Sequence, residues 1–202
     1  SLIPDSLLAR ELALVSQVEG RADAFLGLDM PTGTDIPAVH VKTESFSASG
    51  SYQRILGQIR IDHSQFEYKS DVVRLTDLHA FLLGSQLSGI NTTIDLNSSI
   101  FMDIDSGSGQ FNLETLVPWL RQFEIPRQII EPFQRASGTL DLSSITVSGP
   151  VETPERWRYQ LTGTGLNISG TTQPGRDEIR DLNCWVDISD SQIDISGISF
   201  TA

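Results

Sequence analysis

Apolar residues alternate with polar residues along most of the chain from about residue 39 onward. The runs with this two-residue period include Val39 with Val41, Ile59 with Ile61, Ile94 with Leu96, and Met102 with Ile104. Successive side chains of a β-strand point to opposite faces of the sheet, so this period separates an apolar face from a polar one. Turn-forming residues between the runs indicate short strands joined by tight turns, which is an antiparallel meander.

The expected fold is therefore mainly β: an antiparallel meander that forms a curved sheet, a sandwich or an open groove. Glycine, serine and asparagine pairs predict the turns between strands. We expect such turns at Ser49-Gly50, His63-Ser64, Gly84-Ser85, Asn97-Ser98, Ser106-Gly107-Ser108-Gly109 and Pro174-Gly175.

Two helical regions are expected to flank or interrupt the strands. Residues 4–18 form an amphipathic pattern in which Leu8, Leu12, Val15 and others return at helical spacing, so an N-terminal helix is predicted there. A short helical insertion is predicted near residues 113–135. Asn112 is a favourable N-cap for its first part, and Pro126 begins a second part that ends near Arg135.

The chain is expected to be one β-rich module over residues 1–202, a segment of a longer protein, with weak repeat units at about 52–112 and 138–202. Thr76-Asp77-Leu78 in the first unit is similar to Arg180-Asp181-Leu182 in the second. Farther along each unit, Ser88-Gly89-Ile90 is similar to Ser196-Gly197-Ile198. Similar segments that occur in the same order in two units are typical of a repeated strand pair.

Charge excludes one large class of function. The chain has 14 basic and 26 acidic side chains, a formal net charge of −12. A nucleic-acid-binding protein needs clustered Lys and Arg to contact phosphates, and docking on an anionic membrane needs the same. We therefore expect no nucleic-acid partner.

Motifs for catalysis or metal binding are also missing. The three histidines, His40, His63 and His79, have no metal-ligand spacing, and Cys184 is the single cysteine. Residues 103–107 begin like a calcium loop but lack its closing acidic residue. The sequence predicts a protein that is not an enzyme and that uses no metal or cofactor.

The remaining candidate site is the apolar strand face. In a closed sandwich this face is core, whereas in an open curved sheet it becomes a trough for acyl chains. The residues predicted to face lipid are Ile59, Ile61, Ile94, Leu96, Ile100, Met102, Ile104, Leu140, Leu142 and Ile168.

Several segments resemble a family of bacterial envelope proteins. Gly57-Gln58-Ile59-Arg60-Ile61, then Val73 to Leu78, then Ser85 to Gly89 resemble the repeating unit of AsmA-like proteins. The segment Leu113 to Leu120, with its Pro-Trp-Leu, resembles the short helix that interrupts their sheets, and the resemblance extends over about residues 45–200.

This resemblance implies a cell-envelope protein anchored in the inner membrane of a Gram-negative cell, with a β-groove in the periplasm. It implies phospholipid or another acyl-chain lipid as the ligand, other envelope proteins as partners, and a role in lipid transport or outer-membrane biogenesis. The membrane anchor is expected outside this segment. The leading hypothesis is thus a periplasmic segment that shields acyl chains on its apolar strand face.

Two alternatives remain open. In the first, the apolar face is a closed core without ligand, and the chain is a structural or protein-interaction module. In the second, the chain is a glycan-binding β domain that uses Trp119, Trp157 and Trp185.

Overall fold

The computed structural model describes residues 13–29, 38–53, 57–97, 99–121, 133–151, 153, 156–172 and 178–200. They form a ten-stranded sheet in which each strand pairs antiparallel with the next along the chain. The strands are β1 (Val15–Asp29), β2 (Ala38–Tyr52), β3 (Gln58–Lys69), β4 (Val72–Leu82), β5 (Ser85–Asp95), β6 (Phe101–Asn112), β7 (Phe133–Pro150), β8 (Arg158–Thr172), β9 (Glu178–Ser189) and β10 (Ile193–Ser199). The expected β meander is confirmed, and of its three forms the chain adopts the open curved sheet.

One short helix, α1 (Leu113–Leu120), follows β6. Its predicted N-cap is confirmed, because the Asn112 side chain accepts a hydrogen bond from the Glu114 N–H at 2.9 Å. Val117 of the helix is buried, and α1 contacts β6 and β7. The Thr115 hydroxyl donates to the Leu83 carbonyl in the β4–β5 turn, so α1 lies at the sheet end that carries this turn.

The predicted N-terminal helix is wrong in the part that the structure describes. Val15 to Val18 belong to β1, whose first residue, Val15, pairs with Tyr52, the last residue of β2. Cross-strand pairing with a long neighbour overrides a local helical pattern, which is weak on its own. Residues 4–12 lie outside the described residues, as does most of the second predicted helix. Its Phe133 begins strand β7 instead.

Three of the six predicted turns are wrong. Ser49-Gly50 lies within β2, His63-Ser64 within β3, and Ser106 to Gly109 within β6. The reason at β6 is close packing: a Cβ on Gly107 would lie 2.1 Å from Cδ1 of Ile90. Glycine here lets a neighbouring side chain cross the strand, and it does not mark a chain reversal.

Two of the remaining turns, Gly84-Ser85 and Asn97-Ser98, fall between strands, and Pro174-Gly175 lies outside the described residues. Gly84 lies at the β4–β5 connection with φ +68°, and Asn97 lies between β5 and β6. Ser85 already belongs to β5, and Ser98 lies outside the described residues.

Register shifts interrupt the two-residue period in every strand of the sheet. At several shifts the extra residue has a left-handed backbone: Gln17, Asp77, Gly89, Asn167, Asp181 and Gly197. A single extra residue reverses the alternation, so the next side chain returns to the same face. Leu78, Ile90, Ile168 and Leu182 follow such residues and belong to the core or pack against it.

The core lies on one face of this single sheet. Its buried members are Ile90, Leu142, Ile145, Cys184 and Val186, which come from β5, β7 and β9. Of the intervening strands, β6 carries Gly107 and Gly109, and β8 carries Gly163 and Gly165. Large side chains of alternate strands meet over these glycines, so the sheet curves around this face and buries it without a second layer.

Candidate functional site

The apolar face consists of rows of directly paired residues that run across the sheet. One row, which we call the central row, crosses all ten strands and contains only apolar residues and glycine. Its members are Gly20, Ala48, Ile61, Ala80, Leu87, Gly109, Leu142, Gly163, Val186 and Ile195. Directly paired residues point to the same face, so the register establishes one continuous apolar surface.

A second row, the end row, runs parallel to the central row from β1 to β7. Its members are Leu26, Val41, Tyr68, Val73, Ile94, Met102 and Gly149. It lies beside the β3–β4 and β5–β6 turns, which is the sheet end opposite to α1. Six strand spacings of about 4.8 Å give it a length of about 29 Å.

The two rows differ in exposure. Ala80, Leu142 and Val186 of the central row are buried, at 3–6% exposure. In the end row, Leu26 is 62% exposed, and Tyr68, Val73, Ile94 and Met102 are half-buried. The middle of the central row is therefore filled by its own side chains, whereas the end row keeps apolar surface open to solvent.

The structure brings eight of the ten predicted lipid-facing residues to one face of the sheet, although not to one site. Ile94 and Met102 pair with each other in the end row, and Ile61 and Leu142 belong to the central row. Ile59, Ile104, Leu140 and Ile168 lie on the same face, opposite Gly50, Val147, Gly165 and Leu182 respectively.

Leu96 and Ile100 lie outside the strands, in the β5–β6 turn beside the end row. The Leu96 N–H donates to the Asp71 carbonyl, and the Ile100 carbonyl accepts from the Val151 N–H, each at 2.8 Å. These bonds fix both residues next to the neighbouring turns. Together with Ile94 and Met102 they make four predicted residues at the open end of the sheet.

Leu142 does not fit the prediction as it stands. It is 3% exposed and belongs to the core cluster, with Gly109 and Gly163 on either side. The two-residue period shows that a residue faces inward, but it does not show that neighbouring side chains close over it.

Tyr68 is an end-row residue outside the set predicted from the sequence. Its hydroxyl donates to Oδ1 of Asp71 at 2.9 Å, which directs the tip of the ring toward the β3–β4 turn. This hydrogen bond to a carboxylate, followed by partial burial and the negative charge of Asp71, raises the pKa of Tyr68 above its ordinary value of 10. The neutral ring therefore presents apolar surface to the end row.

A histidine pair on the polar face was also missed, because the histidines are distant in the sequence. His63 and His79 are directly paired, with ring centroids 6.5 Å apart. Nε2 of His79 lies 3.0 Å from Oδ1 of Asp77, and Nε2 of His63 lies 3.7 Å from its Oδ2. Only the β3–β4 register, which includes two shifts, brings these side chains together. Among the described residues, no group of three or more His, Cys, Asp or Glu side chains is arranged to hold a metal ion.

The tryptophans proposed for glycan binding do not share a surface. Trp157 packs on Gly149 on the apolar side, and its Nε1–H donates to the Pro150 carbonyl at 2.8 Å. Trp185 pairs with Thr164 and Ser196 on the opposite, polar face and is 47% exposed. Trp119 lies on α1.

A shallow cleft of about 240 Å³ lies on β3 and β4, lined by Glu67, Lys69, Ser70, Val72 and Arg74. Its charged lining and small size are unsuited to an acyl chain. Among the described residues, no helix has the length and apolar character needed to cross a bilayer. No protein-family model matches the chain, and neither a curated protein nor a solved structure matches it.

Proposed function

We propose that the chain is a β-rich periplasmic segment of an AsmA-like protein that handles lipid at the cell envelope, without catalysis, by shielding acyl chains. The observation that carries this proposal is the end row: a continuous line of apolar side chains, open to solvent, on one face of an open curved sheet. Phospholipid is the ligand class, and lipid transport or outer-membrane assembly is the process it serves.

The dimensions of the end row favour such a ligand. Its length of about 29 Å is close to the hydrocarbon thickness of a bilayer, about 30 Å, which corresponds to two acyl chains end to end. An acyl chain along it would contact the half-buried side chains of Tyr68, Val73, Ile94 and Met102. Burial of apolar surface is favourable by about 25 cal/mol per Å² and needs no specific polar partner.

The alternative of a structural module with a closed core is supported by a different observation. The core cluster around Leu142 and Val186 is covered by the chain's own side chains, as in a protein without ligand. The two functions make opposite predictions about the end row, since only the lipid proposal requires a ligand there.

The test measures binding of a fluorescent fatty acid, together with mass spectrometry of lipid extracted from the purified chain. Met102→Asp places a carboxylate in the end row, and we expect it to weaken binding at least about tenfold because the charge must be desolvated against the acyl chain. Phe101→Asp is the matched control: Phe101 adjoins Met102, is 42% exposed and points to the other face, so binding is retained.

Far-UV circular dichroism shows whether both variants keep the fold. Lack of lipid binding by the unmodified chain, or equal binding by the two folded variants, would contradict the proposal and favour the closed module. If Met102→Asp fails to fold, Ile94→Ser provides a smaller change in the same row.

A further inference from the structure

Both lateral edges of the described sheet consist of strands that pair on one side only. β1 is 15 residues long and β10 is seven residues long, and neither contains Pro or Lys. These residues are common protections of an edge strand against pairing with another chain. We propose that the β10 edge of one copy pairs antiparallel with the β1 edge of a second copy, so that the two sheets join head to tail. This proposal does not depend on lipid binding.

Side-chain size is complementary between the two edges. On the apolar face β10 presents Ile193 and Ile195, which are 38% and 52% exposed, whereas β1 presents Gly20 and Ala22. The interior of the sheet uses the same arrangement, since Leu142 of β7 lies between glycines of β6 and β8. A large residue opposite a small one is thus how neighbouring strands pack in this molecule.

The central row predicts the register of the joined edges. It begins at Gly20 on β1 and ends at Ile195 on β10, so its continuation pairs Ile195 with Gly20 of the second copy. Antiparallel pairing then places Asp194 directly opposite Arg21 on the polar face. Opposite charges at directly paired positions stabilise a sheet, and both side chains are exposed at their edges.

Other registers are disfavoured because they pair like charges or because they move the isoleucines off the apolar face. A slip of two residues in either direction places Asp194 opposite Glu19 or Asp23 of the second copy, and like charges at paired positions are destabilising. A slip of one residue moves the isoleucines to the polar face. The pairing of Asp194 with Arg21 is therefore the register that satisfies both criteria.

The strand number determines the form of the assembly. Ten alternating strands leave β10 antiparallel to β1, so a second copy in the same orientation continues the meander with its apolar face on the same side. The contact joins two different surfaces, which makes it heterologous, and such contacts produce open-ended chains unless a ring closes. The average mass in solution is expected to increase with protein concentration.

The main experiment combines cysteine substitution with sedimentation velocity. Paired Cα atoms in an antiparallel sheet lie about 4.5–5.5 Å apart, which a disulfide can span. We expect Arg21→Cys mixed with Asp194→Cys to give a covalent dimer under mild oxidation, and neither variant alone to do so. Asp23→Cys mixed with Asp194→Cys is the control two residues out of register. The unmodified chain controls for Cys184, which is buried.

Charge exchange provides a second measurement. Arg21→Asp is expected to raise the dissociation constant about fivefold, and the double variant Arg21→Asp with Asp194→Arg to restore it. A chain that stays monomeric at its highest soluble concentration overturns the proposal. A covalent dimer of Asp194→Cys alone indicates β10–β10 pairing and also overturns it, as does equal cross-linking through Asp23→Cys.

Discussion

The β4–β5 and β9–β10 hairpins have similar sequences and similar backbones but very different burial. Asp77 and Asp181 both have left-handed φ angles, 53° and 49°, and Gly89 and Gly197 have φ angles of 61° and 59°. Each glycine precedes an isoleucine. Ile90 in the first hairpin is 3% exposed, whereas Ile198 in the second is 56% exposed.

The difference arises from the neighbouring strand. β5 is followed by β6, whose Gly107 lies directly beneath the end of the Ile90 side chain. β10 has no further strand beside it among the described residues. Ile90 is core because a neighbouring strand provides a glycine over which it packs, just as Val186 of β9 is paired directly with Gly163 of β8. The hairpin alone does not bury its own apolar residue.

The largest expected effect tests this comparison directly. Ile90→Ala should lower the free energy of unfolding by about 2–5 kcal/mol, because it leaves a cavity in the core cluster. Ile198→Ala removes the same atoms from an exposed position and should cost about 0.5 kcal/mol or less. Urea unfolding followed by circular dichroism measures both. Equal losses would show that the two hairpins are buried to the same extent in solution.

A smaller effect concerns the glycine. Gly107→Ala places a methyl group 2.1 Å from Cδ1 of Ile90, so the isoleucine must leave its position, at a cost of about 1–3 kcal/mol. Ile90→Val removes that Cδ1 atom. In the double variant the clash is absent, so the combined loss should be smaller than the sum of the single losses.

The measurement for this pair is a double-mutant cycle from urea unfolding. Gly50→Ala is the matched glycine control in a strand at the side of the sheet, because its new methyl group would have its nearest neighbour at 3.4 Å, an ordinary contact. Strict additivity of Gly107→Ala and Ile90→Val would contradict a direct contact between the two positions.

The sequence was sufficient to predict the meander, because its two-residue period depends only on the local geometry of a strand. It also placed Ile94 and Met102 correctly on the apolar face. It was insufficient at the bulges, where one extra residue such as Asn167 reverses the alternation without a strong local signal. Asp and Asn adopt left-handed conformations more readily than most residues, so Asp77 and Asp181 are recognisable as bulge residues once the register is known.

The apolar face illustrates a second limit of the sequence. Leu142 and Met102 follow the same alternation, yet Leu142 is core and Met102 is half-buried in the end row. The distinction depends on glycines in strands that are adjacent in the sheet, and their alignment follows from the cross-strand register. Glycines in Ser106 to Gly109 were assigned to a turn for the same reason: their role depends on Ile90, which lies in another strand.

The smallest expected effect concerns how each hairpin satisfies the N–H of its left-handed aspartate. The Asp77 N–H donates to Oδ1 of Asn91 on β5 at 3.0 Å, and Nδ2 of Asn91 donates to Ser106 Oγ on β6 at 2.9 Å. The Asp181 N–H instead donates to Ser169 Oγ on β8, at 3.1 Å. The N–H of Asp77 on β4 is therefore satisfied by the strand that follows it, β5, whereas the N–H of Asp181 on β9 is satisfied by the strand that precedes it, β8.

Removing these acceptors should reproduce that difference in stability. Asn91→Ala loses two hydrogen bonds that join three strands, so we expect a loss of about 1–2 kcal/mol in the free energy of unfolding. Ser169→Ala loses a single hydrogen bond, which joins two strands, and should cost about 0.5 kcal/mol. Urea unfolding measures both losses, and amide hydrogen exchange at Asp77 and Asp181 locates them. If Asn91→Ala were neutral while Ser169→Ala was costly, the bulge of the first hairpin would not depend on its following strands.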